Sequence, residues 1–192
     1  MPILGTVASQ ITGRLTLSPA PVYDSISSYL ATGTVSDITL GSIPSTYRHL
    51  QIRVMGFSNN FGSIFMEING DTTNANYQST GIWGQQNLSN AQTAGILRGR
   101  PALLPGVGSF QFGTTYPYVV IIDILDYKNT NKAKMMRSFH GASTNSTHYN
   151  DGVGLAGGVW SGTAAINSLR FFLDGGNSYT AGTRISLYGI KE

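Results

Sequence analysis

The sequence predicts an all-β chain: a jelly-roll-like two-sheet β-sandwich carrying a short N-terminal arm. Three observations carry this. Short apolar stretches with two-residue alternation recur along most of the 192 residues, separated by turns rich in Gly, Asn and Asp. No stretch sustains a helical period. No internal repeat of fixed period appears, which argues against a propeller or β-helix. Heptads and Gly-X-Y triplets are also missing, so nothing indicates a fibrous stalk. A chain of this length reads as one domain with extensions, able to bury a core without metal or disulfide.

The expected division is an arm at residues 1–21 and a β-sandwich at 22–192. In the arm, Ile3, Leu4, Val7, Ile11 and Leu15 are spaced three or four apart and permit an amphipathic turn or two. Gly5, Gly13 and Pro19-Ala-Pro21 limit its length. This apolar segment is the expected attachment element.

Strand signals follow in order. Ser25 to Leu30 and Val35 to Leu40 are the first expected strands, and Ser42 to Tyr47 is a turn. Leu50, Ile52 and Val54 alternate with Gln51, Arg53 and Met55, as in a half-buried strand. Ile64, Met66 and Ile68 alternate with Phe65 and Glu67, and Asn69-Gly-Asp71 ends that strand. Phe110 and Phe112 suggest another. Tyr118 to Leu125, with its Val-Val-Ile-Ile run, is expected to be central and buried on both faces. After a polar turn, Lys134 to His140 returns as its hairpin partner. Met135, Arg137 and Phe139 then share one face, and Met136, Ser138 and His140 the other. Ile166 to Leu173 and Arg184 to Ile190 are the last strands.

Composition narrows the function classes. Hydrophobic residues make up 41% and charged residues only 11%, well under the usual quarter. Neutral polar residues must therefore cover the surface, which suits packing against neighbours or contact with sugars. The net charge of +3 is dispersed rather than gathered into a basic stripe, so direct nucleic-acid binding is not expected. The absence of Cys excludes thiolate chemistry and disulfides. No targeting segment or membrane span is read, and no cofactor is expected.

Candidate chemistry is sparse. Gly152-Val-Gly-Leu-Ala-Gly157 matches the dinucleotide fingerprint, but no helix can start after it to hold a pyrophosphate. It reads instead as a Gly-rich loop or an irregular strand. Asp123 and Asp126 lie three apart, so on one continuous strand they point to opposite faces and do not form a glycosidase pair. Asp126 reads as a turn-former. His49, His140 and His148 lack the close spacing of zinc ligands. Trp83 and Trp160, each near Gly, are candidate stacking platforms for a sugar ring, with core burial as the competing reading.

Four phrases span the chain in order: Ile3-Leu-Gly-Thr-Val-Ala-Ser-Gln-Ile-Thr-Gly13, Ser42-Ile-Pro-Ser-Thr-Tyr-Arg-His-Leu-Gln-Ile-Arg53, Asp123-Ile-Leu-Asp-Tyr-Lys-Asn-Thr-Asn-Lys132 and Ile185-Ser-Leu-Tyr-Gly-Ile-Lys191. Taken together they resemble small virion proteins of tailed bacteriophages. The resemblance implies a β-rich, non-enzymatic structural protein on the particle surface and transfers no catalytic residue. The leading expectation is a capsid decoration (cement) protein docking through its arm. Its expected partners are copies of itself, a homotrimer by analogy, and a major capsid or tail protein. Two alternatives follow: a tail fibre or baseplate subunit binding a host glycan through Trp83 or Trp160, and a carbohydrate-active enzyme.

Overall fold

The structure, a computed structural model, describes residues 22–60, 63–85, 92–98, 102–104, 117–142 and 152–191. These form β1 (Tyr23–Leu30), β2 (Asp37–Leu40), β3 (His49–Gly56), β4 (Ile64–Ile68), β5 (Tyr77–Gln85), β6 (Gln92–Arg98), β7 (Ala102–Leu104), β8 (Tyr118–Leu125), β9 (Lys134–Ala142), β10 (Gly152–Trp160), β11 (Leu169–Leu173) and β12 (Arg184–Ile190). The larger sheet has the order β1-β12-β3-β8-β9-β10-β5-β6, and the smaller one β2-β11-β4-β7.

Eight strands make the sandwich, and successive ones change sheet at every step except from β4 to β7. β1, β3, β8 and β12 lie in the larger sheet; β2, β4, β7 and β11 form the smaller. The chain returns at its end, with β11 between β2 and β4 and β12 between β1 and β3. This double Greek-key winding is a jelly roll, as the strand pattern predicts. The remaining strands are two antiparallel pairs, β5–β6 and β9–β10. They enter after β4 and after β8 and extend the larger sheet beyond β8.

The core lies between the sheets. Leu50, Ile52, Ile122 and Leu187 of the larger sheet meet Ile64, Met66 and Phe171 of the smaller, all essentially inaccessible. Loops are fastened by aromatic side chains. The buried Tyr127 hydroxyl donates to the Pro44 carbonyl and accepts from the Tyr47 N–H at 3.3 Å. The Tyr47 ring covers Gly189 so closely that a Cβ there would lie 2.2 Å from it. That contact accounts for the glycine in the closing Leu-Tyr-Gly-Ile phrase.

Several expectations are corrected. β8 is central, but only one of its faces is buried. Val119, Ile121 and Leu125 point away from the smaller sheet and stay substantially exposed, because among the described residues a facing layer lies on one side only. β4, read from the alternation of Ile64, Met66 and Ile68 with Phe65 and Glu67, is covered on both faces. Phe65 stacks on Phe172 at 5.4 Å, and Glu67 accepts from Arg170 Nη1 at 2.9 Å. β11 starts at Leu169 rather than Ile166, whose N–H is held by the Tyr127 carbonyl. β5, β6 and β7 were not expected, and Phe110 and Phe112 lie outside the described residues.

Candidate functional site: an uncovered sheet face

Strand register assembles a broad apolar surface on the outer face of the larger sheet. Ile121 of β8 pairs with Phe139 of β9, Phe139 with Leu155 of β10, and Leu155 with Ile82 of β5. Phe139 and Leu155 are 53% and 52% exposed. A parallel row runs from Met55 of β3 through Val119 and Gly141 to Val153. Leu125 and Met135 form a third apolar pair toward the β8–β9 turn.

β10 shows how local sequence builds this surface. In Gly-Val-Gly-Leu-Ala-Gly-Gly-Val-Trp, Val153, Leu155 and Val159 point outward. Gly152, Gly154, Ala156 and Gly158 point inward with Trp160. The strand therefore turns its large aliphatic side chains toward solvent and its small residues toward the protein. Gly157, outward-facing and without a side chain, leaves a hollow of about 270 Å³ bordered by Met135, Val159 and Thr80.

A polar row crosses the apolar field and is closed within the chain. Gln51 Nε2 and Arg137 Nε donate to the two carboxylate oxygens of Asp123, each at 2.9 Å. Arg53 Nε donates to Gln51 Oε1 at 2.9 Å, and its guanidinium lies over the Tyr188 ring at 4.8 Å.

Among the described residues, the other carboxylate and histidines considered from the sequence are held within the fold at separate places, Asp126 with His49 and His140 apart from them. Asp126 sits at the β8 end with φ 47°, and this left-handed bend supports its reading as a turn-former. Its carboxylate is engaged by Lys132 and Arg48, and its N–H donates to His49 Nδ1 at 2.9 Å. The Lys132 hydrogen bond, helped by Arg48, outweighs desolvation and lowers the Asp126 pKa. His140 is buried on the inner face and stacks on Tyr118, with centroids 6.1 Å apart. Burial pushes its pKa down to about 3, so the ring is neutral at pH 7. His148 lies outside the described residues. Among those described, no group of three or more His, Cys, Asp or Glu could hold a metal.

The Gly152 to Gly157 fingerprint falls within β10, a regular strand rather than a loop or irregular segment. It pairs in unbroken register with β9 on one side and β5 on the other. Its backbone donors serve those ladders and cannot cradle a phosphate.

Of the expected glycan platforms, Trp160 is corrected. It closes the inner face of β10 at 4% exposure, and its indole Nε1 donates to Asp71 Oδ2 at 2.7 Å. A ring so covered has no face to offer a sugar. Desolvation at Asp71 is overcome by hydrogen bonds from Trp160, Asn76 and Thr73, which hold its pKa at about 2. Trp83 belongs to β5, but its side chain lies outside the described residues. So do Ile3, Leu4, Val7, Ile11 and Leu15 of the expected arm.

No protein-family model matches the chain, and no curated protein matches it. Among solved structures, a marine PL-14 alginate lyase from Aplysia kurodai is similar over 77% of this chain and 72% of that chain, at 10% identity and a TM-score of 0.24. A likeness this slight carries no inference about activity.

Proposed function

We propose that this chain is a non-enzymatic structural protein of a tailed-phage particle, a capsid decoration subunit at the particle surface. The observation that carries the reading is the uncovered apolar face on β8, β9 and β10. Patches of this kind on a folded domain mark sites of association. The four-phrase resemblance adds the particle context, and the low charge suits a subunit packed among neighbours. The two carboxylates weighed as an acid/base pair are each engaged by basic side chains, which favours a binding role over hydrolysis. In this reading the apolar segment at residues 1–15 docks onto a capsid protein.

The test is to add purified full chain, and a variant lacking residues 1–15, to undecorated heads and image the particles. The expected result is regular extra density on heads with the full chain, and none with the variant, whose circular dichroism stays β-rich. Density confined to tails would overturn the decoration reading. Full decoration by the variant would overturn the role of the arm.

A further inference from the structure

We infer that the outer face of β8, β9, β10 and β5 is an interface between two copies of this chain, packed sheet against sheet. Three observations carry this, and none depends on the virion reading.

The first is size. With strands about 4.8 Å apart, the five strands from β3 to β5 span about 19 Å, and Val119 to Leu125 adds about 20 Å of length. The flat projection alone is about 380 Å². Side-chain relief raises this toward the roughly 800 Å² that each partner contributes to a standard interface. Isolated exposed apolar residues need no partner, whereas apolar side chains spread over five neighbouring strands mark a site of association.

The second is charge. Asp123 is paired with Arg137 and hydrogen-bonded by Gln51, so this pair can be covered without an opposite charge from the occupant. Arg53, held by the neutral Gln51 amide and the Tyr188 ring, is exposed on β3 at the border of the patch, where its charge can stay hydrated. What the face requires is another broad apolar surface of low charge, and the same face on a second copy supplies one. Two such sheets stack about 10 Å apart with their strands rotated by roughly 30°. The hollow at Gly157 then accepts a long side chain from the opposing copy.

The third is the inverted amphipathy of β10. Val153, Leu155 and Val159 point away from the chain's own core while Gly152, Gly154, Ala156 and Gly158 point into it. No described element of the chain covers that apolar bulk, and a second molecule can.

The experiment is sedimentation velocity of the purified full chain from low to high micromolar concentration, with Phe139→Glu, Leu155→Glu and, on the smaller sheet, Thr39→Glu. Both interface positions are half-exposed in the single chain, so the variants should fold, as circular dichroism checks. They lie on different strands, so either can decide the outcome alone. A concentration-dependent dimer is expected for the parent and for Thr39→Glu. Each interface variant should weaken it at least tenfold, about 1.4 kcal/mol. A parent chain that stays monomeric throughout, or an oligomer that survives both interface variants, overturns the inference. So does a monomer that floats with anionic vesicles through this face, which would make lipid the occupant.

Discussion

At the scale of single residues, a few buried polar contacts and close approaches hold the loops to the sandwich. Trp160 and Asp71 form one such contact across the ends of β10 and β4. Because the Asp71 pKa is depressed to about 2, its contribution to stability is present above an unfolded value near 4 and is lost as pH falls toward 2. Trp160→Phe should remove a hydrogen bond to a charged group, costing about 1.5–3 kcal/mol at neutral pH, and should weaken that acid dependence. Urea unfolding at a series of pH values measures both effects. His140 acts in a higher range. Its folded pKa of about 3 lies below the unfolded value near 6.5, so the unfolded state takes up a proton first. Stability should therefore decline as pH falls from about 6.5, by up to roughly 1.4 kcal/mol per pH unit. His140→Phe should flatten that slope, and an unchanged slope would assign the dependence to other groups. Gly189→Ala should cost about 1–3 kcal/mol, since its new methyl would collide with the Tyr47 ring. Thermal unfolding of the two proteins decides this.

At the scale of elements, the β8–β9 hairpin and β10 show what is legible in sequence. The hairpin was plain, because alternating residues flank a polar turn and the register follows from them. Met135 and Phe139 share the outer face, and Met136, Ser138 and His140 the inner one, as their spacing predicts. β10 was obscured. Its alternation is present, but the large residues face outward and the glycines resemble a nucleotide loop. Lys134 left no sequence signal at all. It is fully buried, and its Nζ donates to the carbonyls of Asn129, Lys132 and Thr163. One side chain thereby ties the β8–β9 turn to the segment after β10. Burial lowers its pKa, and removing the amine takes one shared donor from all three carbonyls. Lys134→Met should cost about 1–3 kcal/mol. It should also speed amide exchange in residues 127–132 more than in β3, and uniform exchange across both would argue against a local tie.

At the scale of the whole molecule, the last strand is an interior one. β12 pairs with β1 and β3 along its length. Deleting residues 184–192 should therefore abolish cooperative unfolding rather than fray an edge, as a denaturant titration would show. The two-residue periodicity, the turn residues and the absence of helical spacing determined by themselves that this chain is an all-β sandwich. They also placed the closing strand and several register faces, because those depend on neighbours a few residues away. Only the tertiary structure decided which apolar strands are covered. Ile121 and Ile122 are equally hydrophobic in sequence, yet one is 43% exposed and the other fully buried. The difference arises because, among the described residues, a facing sheet lies on one side of β8 only. Burial is a property of what lies across from a residue, and that partner is brought there by strands distant in the chain.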